Sequence, residues 1–123
     1  MLRRLALAVL AVMLAFAGSA CEDRRTPVQQ AVEWFPASQR STARCIVFLE
    51  SGDNPRAVGR AGEAGLFQIH PVHRRDFERL TGRPWSAAWD PVLNGQMALA
   101  VWRESGWRAW STARRCSAGY ARV

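Results

Sequence analysis

Proline and glycine punctuate this chain so regularly that only short helices fit between them. Breaks fall at Pro36, at Gly52, at Gly82 with Pro84, at Asp90-Pro91 and at Gly106. Each is of a kind that stops or starts a helix. Thr26, followed by Pro27 and by Gln29 at the capping-box position, predicts a first helix with Val28, Ala31, Val32 and Phe35 on one side, ended by Pro36. A second is predicted after Ser38 and through Glu50, with Ser51 closing it and Gly52 as the left-handed stop. A third starts at His70-Pro71 and reaches Leu80. The longest covers residues 92–105 behind an Asp90 cap, with Leu93, Met97, Ala98, Val101 and Trp102 as its apolar stripe. Between Gly52 and Gly65 the helical period vanishes, and Gly52-Asp53-Asn54-Pro55, Gly59, Gly62 and Gly65 read as turns. The fold class is therefore mostly α (α+β), with a small glycine-rich loop or hairpin insert and a short aromatic tail through Trp107, Trp110 and Cys116. At 123 residues there is room for one domain, and a chain 49% hydrophobic and 22% charged is neither disordered nor collagen-like.

Residues 1–20 are read apart from the fold. Arg3 and Arg4, the apolar run 5–17 and the small-residue junction Gly18-Ser19-Ala20 have the pattern of a secretory signal. The run is too short to cross a bilayer as a helix, which takes roughly 20 residues. Removing it takes away two of 17 arginines and leaves 103 residues at net charge +5. No lysine is present, so every basic group is a guanidinium suited to carboxylates and phosphates. The arginines are spread along the chain without a basic stripe, and export also disfavours nucleic acid. Anionic cell-envelope polymers or lipid head groups fit better than nucleic acid, beside the plain alternative of a solvated basic surface.

Three cysteines in an exported chain allow one intramolecular bridge at most. Cys21 is the odd one: Gly-Ser-Ala-Cys resembles a lipoprotein processing site, except that Gly18 stands where an aliphatic residue is usual. It is the candidate for lipidation and for a membrane anchor. Cys45 and Cys116 bracket the informative part of the chain, and joining them would contribute about 4 kcal/mol by closing a loop of about 70 residues.

Glu50 is the candidate catalytic group. It falls in the last turn of a helix, where the partial negative charge of the helix end disfavours a second one. Ile46 and Val47 share its face and add desolvation. Both effects favour the protonated carboxyl, the form that can protonate a glycosidic oxygen. Pairing with one of the many arginines is the plain alternative. Glycoside hydrolysis usually needs a second carboxylate, and Asp53 and Glu63 both stand open as candidates, although Asp53 suits a turn-forming role. Without an activated water, the sugar's own hydroxyl could attack and close an anhydro ring.

Glu50-Ser51-Gly52-Asp53-Asn54-Pro55-Arg56-Ala57-Val58, followed by Gly62-Glu63-Ala64-Gly65-Leu66-Phe67-Gln68-Ile69-His70-Pro71, resembles the catalytic signature of lytic transglycosylases and goose-type lysozymes. The resemblance extends through Asp90-Pro91, Asn94 and Trp107-Arg108-Ala109-Trp110 to Cys116, and is similar to small exported actinobacterial members with one bridge between the acid-bearing helix and the C-terminal end. It implies a lysozyme-like fold that cuts peptidoglycan between N-acetylmuramic acid and N-acetylglucosamine, with Glu50 as the single acid and later base. It also implies that Ser51 supports the acid, that Gln68 contacts substrate, and that Phe67, His70, Glu63 and Asn94 belong to the groove. The tyrosine that family members often place near the cleaved bond has no counterpart in the motif. Tyr120 lies beyond it, so a tryptophan or His70 is expected there instead. The resulting division is a signal peptide over 1–20, a linker and short helix over 21–37, a catalytic domain over 38–116 and a tail over 117–123.

Trp85 and Trp89 are expected as sugar platforms, and Trp107 and Trp110 as packing around the bridge. His70 and His73 have a spacing that could hold a metal, but no further ligand stands nearby, so neither metal nor cofactor is expected. The chain is read as an exported monomer acting on glycan strands. Two other readings compete with an enzyme: an inactive peptidoglycan-binding module of the same fold, and a cationic protein that acts on lipid directly.

Overall fold

A computed structural model describes residues 21–116. The expected signal peptide, the tail over 117–123 and Tyr120 lie outside the described residues. The rest is mostly α, as a lysozyme-like fold requires. The helices are α1 (Pro27–Val32), α2 (Arg40–Ser51), α3 (Arg74–Thr81), α4 (Pro91–Ser105) and α5 (Ala113–Cys116), joined in part by 3-10 turns at Ala37–Gln39, Pro71–His73, Trp85–Trp89 and Gly106–Ala109.

Local signals set the helix ends. Thr26 and Gln29 form the expected reciprocal capping box at α1. Ahead of it, the Arg25 guanidinium bonds Asp23 and Glu33, and the hydrogen bond from Arg25 holds the Asp23 carboxyl down at about 2. α1 ends at Val32, earlier than its apolar spacing predicts, because the backbone must leave the helical region ahead of Pro36. Phe35 is nevertheless buried. Gly52 adopts the left-handed conformation and its N–H closes α2 on the Phe48 carbonyl at 2.9 Å. The third helix divides at His73: a 3-10 turn capped by His70 comes first, then α3. Asp90 caps α4 through the Leu93 N–H at 3.1 Å.

One apolar core joins these helices. Ala31, Val32 and Phe35 from the first helix region meet Ile46 and Val47 of α2 and Met97, Ala98 and Val101 of α4. α1 and α4 touch backbone to backbone: a Cβ on Gly95 would lie 2.2 Å from the Ala31 carbonyl oxygen, so only glycine permits this crossing. The Cys45–Cys116 disulfide ties α2 to α5 across 71 residues of sequence, with Cα atoms 5.7 Å apart.

Residues 52–70 form no helix. Turns and two isolated antiparallel bridges, Val58 with Ala64 and Ala64 with Ile69, stand where a small hairpin is one expectation. Among the described residues, no helix is long and apolar enough to cross a membrane.

Candidate functional site

A cleft of about 450 Å³ opens between the end of α2, the segment 59–70 and the chain just before α5. Its volume lies in the range of small-ligand sites, about 300 to 1,000 Å³. Glu50 stands on one wall because α2 runs to its last turn before Gly52 can stop it. Gly59, Arg60, Glu63, Gln68 and His70 line it from the segment 59–70, and Ala109, Trp110 and Ser111 from the chain before α5.

Glu50 is half-buried. Its Oε1 accepts a 2.7 Å hydrogen bond from the Thr112 hydroxyl, which fixes the carboxyl group across 62 residues of sequence. Neither an ion pair nor an arginine hydrogen bond to Glu50 occurs among the described residues, so the arginine-pairing alternative is not what this geometry adopts. Thr112 escapes a motif reading. One signal could have found it: Thr112 precedes Cys116 by one helical turn, and Cys116 is bridged to the helix that carries Glu50.

Of the two candidate second carboxylates, Glu63 shares the cleft with Glu50, whereas Asp53 is exposed in a turn with φ of 64° and lines no part of it. Glu63 is aimed by its own turn, its Oε2 accepting from the Ala61 N–H at 2.9 Å. Gly59 makes room for this carboxylate, since a Cβ there would lie 2.1 Å from Glu63 Oε2. Gln68 also faces the cleft. Its backbone is held at φ of 48°, a region a glutamine rarely occupies, while its amide nitrogen donates to the Gly65 carbonyl at 2.9 Å. Strain of this kind costs about 1 to 3 kcal/mol and concentrates at functional sites.

Other expected site residues have different work in this fold. The Phe67 side chain is fully buried, packed between Phe35 and Trp110, so it supports the cleft from behind and cannot touch a ligand there. Asn94 is only 1% exposed. Its side chain accepts from the Phe67 N–H at 2.9 Å and donates to the Ala64 and Ala88 carbonyls at 2.8 Å each, which makes it a strut under the segment rather than a groove residue. The Ser51 hydroxyl donates to the Val47 carbonyl at 2.8 Å and thus caps the helix under Glu50 instead of contacting the acid. His70 lines the cleft, but its Nδ1 is engaged by the Val72 N–H.

The tryptophans divide differently from the expectation. Trp85 and Trp89 do not line the cleft: Trp85 packs edge-on against Phe77, and Trp89 donates its indole N–H to the Ala57 carbonyl at 2.9 Å, pinning the segment from outside. Trp107 and Trp110 pack against the core aromatics, with Trp107 stacked on Phe35 and Trp110 bonded to the Phe67 carbonyl. Trp110 also reaches the cleft wall. Among the described residues, no three histidine, cysteine, aspartate or glutamate side chains cluster as metal ligands.

The arrangement offers a carboxyl group oriented by a neutral donor, a second carboxylate across an open groove, and amide and imidazole groups beside them. One protein-family model, described as the transglycosylase SLT domain, matches residues 28–121, a stretch that takes in α2 through α5 and both walls of the cleft.

Proposed function

The chain belongs to the transglycosylase SLT domain family, whose members are lytic transglycosylases acting on peptidoglycan, and from that premise we propose that Glu50 is the single acid and base of the reaction. The observation that carries this reading is the Glu50 carboxyl standing half-buried in the cleft wall, oriented by Thr112 and free of arginine.

Its proton passes to the oxygen that links N-acetylmuramic acid C1 to N-acetylglucosamine, and the C1–O bond breaks. The resulting carboxylate then takes the proton of the muramic acid C6 hydroxyl as that oxygen bonds to C1. Atoms balance without water, and the product ends in a 1,6-anhydro ring. Thr112 keeps one carboxyl oxygen engaged, which leaves the other to face the bond being cut. Glu63 supports a second outcome: a carboxylate in the same cleft could activate water, as in an inverting hydrolase, and would yield reducing ends.

Incubation of the purified protein with peptidoglycan and mass analysis of the fragments separates these outcomes. Anhydro-muropeptides support the transglycosylase and reducing ends the hydrolase. Intact glycan that retains the protein would leave the inactive binding module, and liposome leakage the lipid-directed reading. Glu50→Gln should lower turnover by about a thousandfold with an unchanged thermal midpoint, in line with the loss of a general acid. Normal cleavage by that variant overturns the assignment. Action on peptidoglycan places the protein outside the cytoplasm, and residues 1–20 are the proposed route. Palmitate labelling decides whether Cys21, exposed and outside the bridge, carries lipid.

A further inference from the structure

A second cleft, of about 550 Å³, adjoins the catalytic one. Trp110 and Ser111 line both, so the two are neighbouring parts of one surface depression. Trp107, Arg108, Ala113 and Arg114 also line it.

Its chemistry is the reverse of the catalytic cleft's. Among the described residues no carboxylate lines it, while two exposed guanidinium groups, Arg108 and Arg114, stand along it. Neither arginine has an ion-pair or hydrogen-bond partner among the described residues, whereas Arg25, Arg74 and Arg79 all pair with acids. The apolar floor is fixed: Trp107 donates its indole N–H to Gln39 Oε1 at 2.8 Å and lies stacked on Phe35 with ring centroids 5.1 Å apart. The backbone under both arginines is held by the Trp110 bond to Phe67 on one side and by the Cys45–Cys116 bridge on the other. This is a rigid apolar floor with a cationic rim, next to the acid that cuts the glycan.

A strand lying in the catalytic cleft carries side branches. The muramic acid units of peptidoglycan bear short peptides with free carboxylates, and the second cleft adjoins the one that holds the strand, through the shared Trp110 and Ser111. Guanidinium groups bind carboxylates through paired, charge-assisted hydrogen bonds. We propose that the cleft formed by Trp107, Arg108 and Arg114 binds a carboxylate of the stem peptide, so that the protein selects strands that still carry their peptides. The proposal rests on the peptidoglycan-cleaving reading and adds a specificity to it.

The test compares two polymers, peptide-bearing glycan strands and the same strands stripped of peptide by an amidase. The doubly substituted variant Arg108→Gln with Arg114→Gln should lower kcat/KM on peptide-bearing strands by about fivefold to tenfold, chiefly through KM, the size expected for two solvent-exposed ion pairs. The loss should shrink in high salt, and the variant should match the wild type on stripped strands and in thermal midpoint. An equal loss on both polymers overturns the proposal, because the arginines would then serve the glycan or the fold. An unchanged kcat/KM on peptide-bearing strands overturns it as well. If the wild type cleaves neither polymer, the parent reading fails and the proposal with it. Cleavage of both with no effect of the substitutions sinks the peptide site alone.

Discussion

Helices α1, α2 and α4 meet through apolar surface and backbone contact, with Ala31 and Gly95 at the closest point. The segment 52–70, which lines the cleft, forms no helix; it buries Ala64, Leu66, Phe67 and Ile69 in the same core, and its backbone needs further support. It is fastened by polar side chains that arrive from elsewhere: Asn94 from α4, Trp89 from the 3-10 turn before it, and Trp110 from beyond α4. Each ends on a backbone amide or carbonyl. An irregular segment leaves such groups without ladder partners, and a buried one must recruit them. The two regions therefore differ in what they add to the shared core: the helices rest on volume alone, while the cleft-lining segment depends on single hydrogen bonds as well.

Three substitutions can break or sharpen that contrast. Replacing both bridge residues, Cys45→Ala with Cys116→Ala, should cost about 4 kcal/mol by freeing the unfolded chain, measured as a shift in the urea midpoint. It should also lower turnover, because α5 carries Cys116 and follows directly on Thr112, which holds Glu50. Loss of stability with unimpaired turnover would show that Thr112 keeps its place without the bridge. Gly95→Ala drives a Cβ against the Ala31 backbone, and its cost should be about 3 kcal/mol, with the thermal midpoint falling by roughly 10 to 20 °C in calorimetry. Folded molecules of that variant should keep their kcat at low temperature. Trp89→Phe keeps one aromatic ring but removes the five-membered ring with its N–H, the donor to the Ala57 carbonyl, so it should cost about 2 kcal/mol. Its KM for glycan should rise by more than that of Gly95→Ala. If the order of those two KM values is reversed, the proposed division between scaffold and cleft wall is wrong.

Much of the backbone was legible. The Thr26–Gln29 capping box, the Gly52 stop and the Asp90-Pro91 start are local signals read by local forces, and all three stand where the chain predicts them. The site was legible in part. Glu50, Glu63, Gln68 and His70 do line one cleft. Phe67 lies in the same motif, Asn94 in the stretch to which the resemblance extends, and both are buried. Motif membership does not separate a residue that touches the ligand from one that holds the wall behind it, since side-chain direction depends on what packs against the segment. Trp85 and Trp89 illustrate the same point, as an indole that suits a sugar face equally suits an edge-on contact with Phe77 or a bond to a backbone carbonyl.

The sequence by itself determined the Thr26 and Asp90 helix starts, the Gly52 stop, the position of the acid at a helix end and the cysteines available for a bridge, because each depends on residues a few places apart or on a simple count. Only the tertiary structure decided that Thr112 would hold Glu50, that Glu63 and not Asp53 would share its cleft, and that Arg108 and Arg114 would line a second one beside it. These relations join segments up to 62 residues apart. Nothing in local backbone preference carries them: they arise when the core closes and the bridge brings α5 onto α2.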